Sequence, residues 1–127
     1  MVFELQHFLV ELNKETTVLE IILRLDYMSG PVWTLYNKGL EVLESTGISV
    51  IDNDEEVLKL NEAIRELYNS YYSFDVEGQP CSFDEVKEKN DKERMLKLLG
   101  QLKKRLSDIN DGSFEVIDEE TSRVSKL

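Results

Sequence analysis

The stretch Thr16-Thr17-Val18-Leu19-Glu20-Ile21-Ile22-Leu23-Arg24-Leu25-Asp26-Tyr27-Met28 decides between two folds. Two periodicities overlap in it. Thr17 and Glu20 have the spacing of a capping box, and Glu20 and Arg24 form an i,i+4 pair; both favour helix. Against that, Leu19, Ile21, Leu23, Leu25 and Tyr27 alternate with Glu20, Ile22, Arg24 and Asp26. That is the period-2 pattern of a half-buried strand, in a β-branched stretch. A strand here would pair in a hairpin through Asn13-Lys14-Glu15-Thr16, and a lone hairpin needs a third strand to be stable. The helical reading is therefore preferred, and with it a mostly α fold, a four- to five-helix single-domain bundle. The alternative is an α+β fold with an N-terminal hairpin over 3–27 and a short C-terminal strand near 114–117.

Upstream, Val2, Leu5, Phe8, Leu9 and Leu12 recur at helical spacing, which predicts an amphipathic helix over 2–14. Downstream, Ser29-Gly30-Pro31 breaks the chain, and proline suits the first turn of a new helix. Val32, Trp33, Tyr36, Leu40 and Leu43 form its apolar stripe, with Gly47 as a C-terminal stop and Ile48 to Ile51 as a short extended connector. Residues 53–74 carry the clearest helical pattern. Asn53 and Glu56 have capping spacing, and Val57, Leu60, Ile64, Leu67, Tyr71 and Phe74 recur close to a heptad seam. Residues 75–81 read as a loop. Ser82 and Glu85 make a capping box for a last long helix over 83–110, with Val86, Met95, Leu99, Leu102, Leu106 and Ile109 on its buried face. Asn110-Asp111-Gly112 ends it. The domain is expected to span 1–118, and 119–127 reads as a polar, frayed tail.

Composition narrows the function. The 127 residues carry 15 Lys+Arg against 26 Asp+Glu, a net charge of −11, which argues against a broad phosphate-binding face and against a polybasic membrane surface. The most apolar stretch, Val18 to Leu25, is interrupted by Glu20 and Arg24 and is far too short to span a bilayer. Cys81 is the only cysteine, so no intrachain disulfide or cysteine zinc cage forms, and a reducing compartment suits the chain. The first residues lack a signal peptide's basic and apolar regions, and a cytoplasmic location is expected. The glycines form no phosphate-binding loop.

Candidate chemistry is sparse. Glu4, His7 and Glu11 have the spacing of half a carboxylate–histidine metal site, but such sites use two histidine segments and His7 is the only histidine. Cys81 lies among Asp75, Glu77, Asp84 and Glu85, whose charges work against a thiolate nucleophile. Carboxylates such as Glu62 and Glu66 are abundant, yet Glu62 has Arg65 three residues on and Glu55 has Lys59 four on, the arrangement of ordinary surface pairs. No catalytic residue, metal site or cofactor is assigned.

Charge and aromatics point to binding instead. Residues 52–80 hold eight acids and two bases, a net of −6, whereas 81–111 hold seven acids and eight bases, a net of +1. The bases of the last helix, Lys97, Lys103, Lys104 and Arg105, make a poor nucleic-acid patch beside so acidic a surface. Tyr68 and Tyr72 widen the apolar face of the 53–74 helix and supply rigid contact area with polar tips. The expected interface is Asp54, Glu55, Glu62, Glu66, Tyr68, Tyr72, Asp75 and Glu77. In general character, small, acidic and cysteine-poor, the chain resembles bacterial immunity proteins and small phage or mobile-element proteins; no motif carries the resemblance, so no residue role follows from it. The expected function is non-enzymatic: an acidic module, of immunity or inhibitor type, that docks onto a more basic protein. The alternative is a self-associating assembly protein, a homodimer through the 57–74 seam, and a metal-binding protein ranks third.

Overall fold

The stretch on which the two expectations divide is a strand. The computed structural model describes residues 18–34, 46–73 and 82–127. In chain order these form β1 (Leu19–Leu23), β2 (Val32–Thr34), α1 (Ser49–Asp52), α2 (Glu55–Asn69) and β3 (Tyr72–Ser73). They continue with β4 (Ser82–Phe83), α3 (Glu85–Asn90), α4 (Lys92–Ile109), β5 (Phe114–Asp118) and α5 (Thr121–Ser125). The fold is therefore α+β, and the mostly α bundle is corrected.

β1 is the central strand of a three-stranded sheet ordered β2-β1-β5. It pairs antiparallel with β2, with Ile22 opposite Trp33, and parallel with β5, with Ile21 opposite Val116. The third strand that the local pattern lacked comes from near the other end of the chain. Ile21, Ile22 and Leu23 are all buried, so both faces of β1 are covered. A fully buried strand rewards β-branched residues on either side, and this overrides a local capping signal. The expected helix after Pro31 is also corrected, because Val32–Thr34 forms β2. The short C-terminal strand of the alternative reading is present as β5. The first arm of the expected hairpin, the helix over 2–14 and residues 35–45 lie outside the described residues.

The helices keep their stripes but shift their boundaries. α2 is capped by Asp54, whose carboxylate accepts from Val57 N–H at 2.9 Å, and not by Asn53. Its Val57, Leu60, Ile64 and Leu67 pack on α4 residues Met95, Leu99, Leu102 and Leu106, and on Ile21, Leu23 and Phe114 of the sheet. The near-heptad seam thus lies inside the molecule, where it is no surface for pairing with a second copy. The expected connector at 48–51 is α1, held by Asp52, which accepts from Thr46 N–H (2.8 Å) and Gly47 N–H (3.0 Å). Gly47 takes φ 78° there, a conformation glycine adopts without Cβ strain.

The long C-terminal helix is two helices that meet at Asp91. Asp84, not Ser82, caps the first, accepting from Lys87 N–H at 2.9 Å, while Ser82 belongs to β4. Val86, expected inside, is exposed. The tail is corrected too. α5 places Val124 in the core at 0% exposure. Arg123 joins Glu120 (2.7 Å) to Glu88 (3.0 Å), and Glu120 accepts from Leu25 N–H at 3.0 Å. The last residues therefore tie the end of β1 to α3. No helix among the described residues is long and apolar enough to cross a membrane.

Candidate protein-binding surface

The β1–β2 connection folds back in a tight turn, in which Ser29 N–H donates to Asp26 C=O at 3.3 Å. Met28 occupies the third position of that turn with φ 64°. A side chain in this left-handed region meets the neighbouring carbonyl, so glycine or asparagine is the usual occupant. Asn69, at the end of α2, holds the turn in place by accepting from Met28 N–H at 2.8 Å. The Met28 side chain stays 46% exposed. The turn also lies close to α2: a Cβ on Gly30 would fall 2.4 Å from the Asn61 side-chain amide, which would have to swing aside to admit it.

Beside Met28 lies an aromatic cluster. The Tyr27 and Tyr72 rings are 4.7 Å apart, Tyr72 and Phe83 5.0 Å, and Tyr68 and Tyr72 5.7 Å, all tilted or edge-to-face. Such geometries are favoured by the ring quadrupoles. The β3–β4 ladder, with Tyr72 opposite Phe83, fixes the two central rings. Tyr68 and Tyr72 are half-buried, whereas Tyr71 is fully buried in the core. Burial, reinforced by the Tyr72 hydroxyl, pushes the Tyr68 hydroxyl above its ordinary range, so it stays neutral.

The expected acids divide into three groups. Glu55, Glu62 and Glu66 lie exposed along α2, on the side opposite its buried stripe. Glu62 is engaged by Arg65 at 2.7 Å, and hydrogen bonding to that guanidinium holds its carboxyl below the usual range. Asp54 has an internal role: besides capping α2 it pairs with Arg105 at 2.5 Å. Asp75 and Glu77 lie outside the described residues, as do Glu4, His7, Glu11 and Cys81. The acidic stripe is bounded at Glu66 by a cleft of about 290 Å³ that Lys87 and Arg94 also line. Lys87 bonds Ser70 and Asp91 there, each at 2.9 Å.

Of the expected residues, the structure brings Tyr68 and Tyr72 together and sets Glu55, Glu62 and Glu66 in one row on the same helix. The sequence reading missed Tyr27, Met28, Phe83 and Asn69. Nothing local to the turn announces them, because their proximity depends on β1 being a strand. Among the described residues, no group of three or more His, Cys, Asp or Glu could hold a metal ion. Comparison with protein-family models, with curated proteins and with solved structures gave no match to this chain.

Proposed function

We propose that the chain is an acidic, non-enzymatic module of immunity or inhibitor type that docks onto a more basic protein. The supporting observation is the exposed Met28 at a strained turn beside Tyr27, Tyr68 and Tyr72. Strain at a bulky residue costs about 1–2 kcal/mol and persists where the side chain is needed in that place. Methionine and tyrosine give an adaptable, largely apolar contact. The row Glu55, Glu62 and Glu66 supplies the steering field for a cationic partner. A cytoplasmic location goes with this reading, since the lone Cys81 suits a reducing compartment.

The test begins with affinity capture of the partner from the source cell, followed by kinetics on the purified pair. Raising salt from about 50 to about 500 mM should slow association severalfold. Glu62→Lys with Glu66→Lys should do the same at low salt. Met28→Gly should instead speed dissociation by about tenfold, as expected for a contact residue worth about 1.4 kcal/mol. An association rate indifferent to salt and to both charge reversals would sink the steering role.

A further inference from the structure

The Asn69 side chain grips Met28 at two points. Its Oδ1 accepts from the Met28 N–H at 2.8 Å, and its Nδ2 donates to the Met28 Sδ at 3.9 Å. The first bond settles which end of the amide faces the sulfur, since an N–H donor needs the oxygen. A thioether sulfur is a weak acceptor, so the second bond spends a good donor on a poor partner. An oxygen added to Sδ on that side, one S–O bond nearer the amide, would reach about 2.9 Å from Nδ2, the ordinary length of an N–H···O bond. The sulfur is also accessible. Met28 is 46% exposed, whereas Met95, the other methionine among the described residues, is 1% exposed in the core. The turn holds without the sulfur, because its bonds are Ser29 N–H to Asp26 C=O at 3.3 Å and Met28 N–H to Asn69.

We propose that Met28 is a reversible oxidation site, at which a hydroperoxide converts the thioether to a sulfoxide whose oxygen Asn69 then holds. A sulfur lone pair attacks the terminal oxygen of the hydroperoxide. The S–O bond forms as the O–O bond breaks, and the terminal oxygen's proton passes to the other oxygen, which leaves as water or an alcohol. Sulfur loses two electrons and the peroxide gains them. A dithiol reductase reverses the step: its thiols become a disulfide and the oxygen leaves as water. The product changes the surface and not the fold. An adaptable apolar tip beside the Tyr27 and Tyr72 rings becomes polar. On the reading of this surface as a docking site, on which this consequence rests, the sulfoxide is the form that releases the partner.

The site is tested on the purified chain with hydrogen peroxide and peptide mass mapping, which separates Met28 from Met1, Cys81 and Met95. Met28 should gain one oxygen at least about tenfold faster than Met95, and a methionine sulfoxide reductase should remove it from the folded chain. Magnetic resonance reads the clamp. On oxidation the Asn69 side-chain N–H signals should move downfield, while those of Asn110, bonded to the Phe114 C=O, stay in place. Asn69→Asp still accepts from the Met28 N–H but has no N–H to donate. Oxidation should leave the wild-type melting temperature within about 2 °C and lower that of Asn69→Asp by about 4 °C. Equal oxidation rates at Met28 and Met95 overturn the proposal. So do unmoved Asn69 signals, or equal melting shifts with and without the Asn69 donor. Docking is scored separately on the purified pair, where oxidation should speed dissociation about tenfold. If Met28→Gly weakens the complex and oxidation does not, the releasing role is overturned. If neither weakens it, the docking surface falls and the oxidation site stands.

Discussion

Met28 holds a left-handed conformation that a glycine would take without penalty. Met28→Gly should therefore raise the unfolding free energy by about 0.5–1 kcal/mol, read from urea denaturation, even as it weakens partner binding. Arg123 works in the other direction. Burial opposes its charge, and the Glu88 and Glu120 carboxylates outweigh that effect and hold the guanidinium firmly protonated. Both carboxylates are nearly buried, so Arg123→Ala leaves them unpaired and should cost about 2–3 kcal/mol in thermal or urea melts, with part regained when Glu88→Gln is added. Asp118 carries the pH dependence. Burial alone pushes its carboxyl up, but the hydroxyl and N–H of Thr121, the Lys103 ammonium and the Glu120 N–H outweigh that and hold it at about 2, against 3.8 ordinarily. A carboxyl lowered on folding stabilises fully above its unfolded pKa and loses that contribution as pH falls through the folded one. Acid titration of the wild type should thus lose about 1–2 kcal/mol from this residue between about pH 4 and about pH 2, after allowance for screening, and Asp118→Asn should flatten that slope.

Among the elements, α2 and α4 were legible because their apolar residues repeat at helical spacing over many turns and bury one face. Asp54, one of the expected interface acids, is the cap of α2. Asp54→Ser keeps the cap and loses the Arg105 pair, whereas Asp54→Ala loses both; the second should cost about 1 kcal/mol more than the first in equilibrium unfolding. α5 was not legible, since a single buried Val124 among polar residues gives no periodicity. Its weight lies in long-range contacts. Truncation after Asp118 removes Val124 from the core, Arg123 from the Glu88 carboxylate and the Glu120 carboxylate from the Leu25 N–H. It should lower the melting temperature by many degrees, whereas loss of a frayed tail would leave it unchanged.

At the scale of the whole molecule, charge separates from fold. The excess of −6 over residues 52–80 was visible by counting, and so was the row of Glu55, Glu62 and Glu66, because helical spacing alone sets residues 55, 62 and 66 on one side. The cluster of Tyr27, Met28, Tyr72 and Phe83 was invisible, since it joins a hairpin turn to a two-stranded ladder far along the chain. The sequence by itself determined the helical stripes, the acidic balance and the lack of a second cysteine for a disulfide within these residues, each a property of local spacing or of a count. Only the tertiary structure decided that Leu19–Leu23 is a strand. Thr17-x-x-Glu20 and the β-branched alternation are nearly balanced signals, and pairing with Phe114–Asp118 tips them by burying both faces of β1 at once.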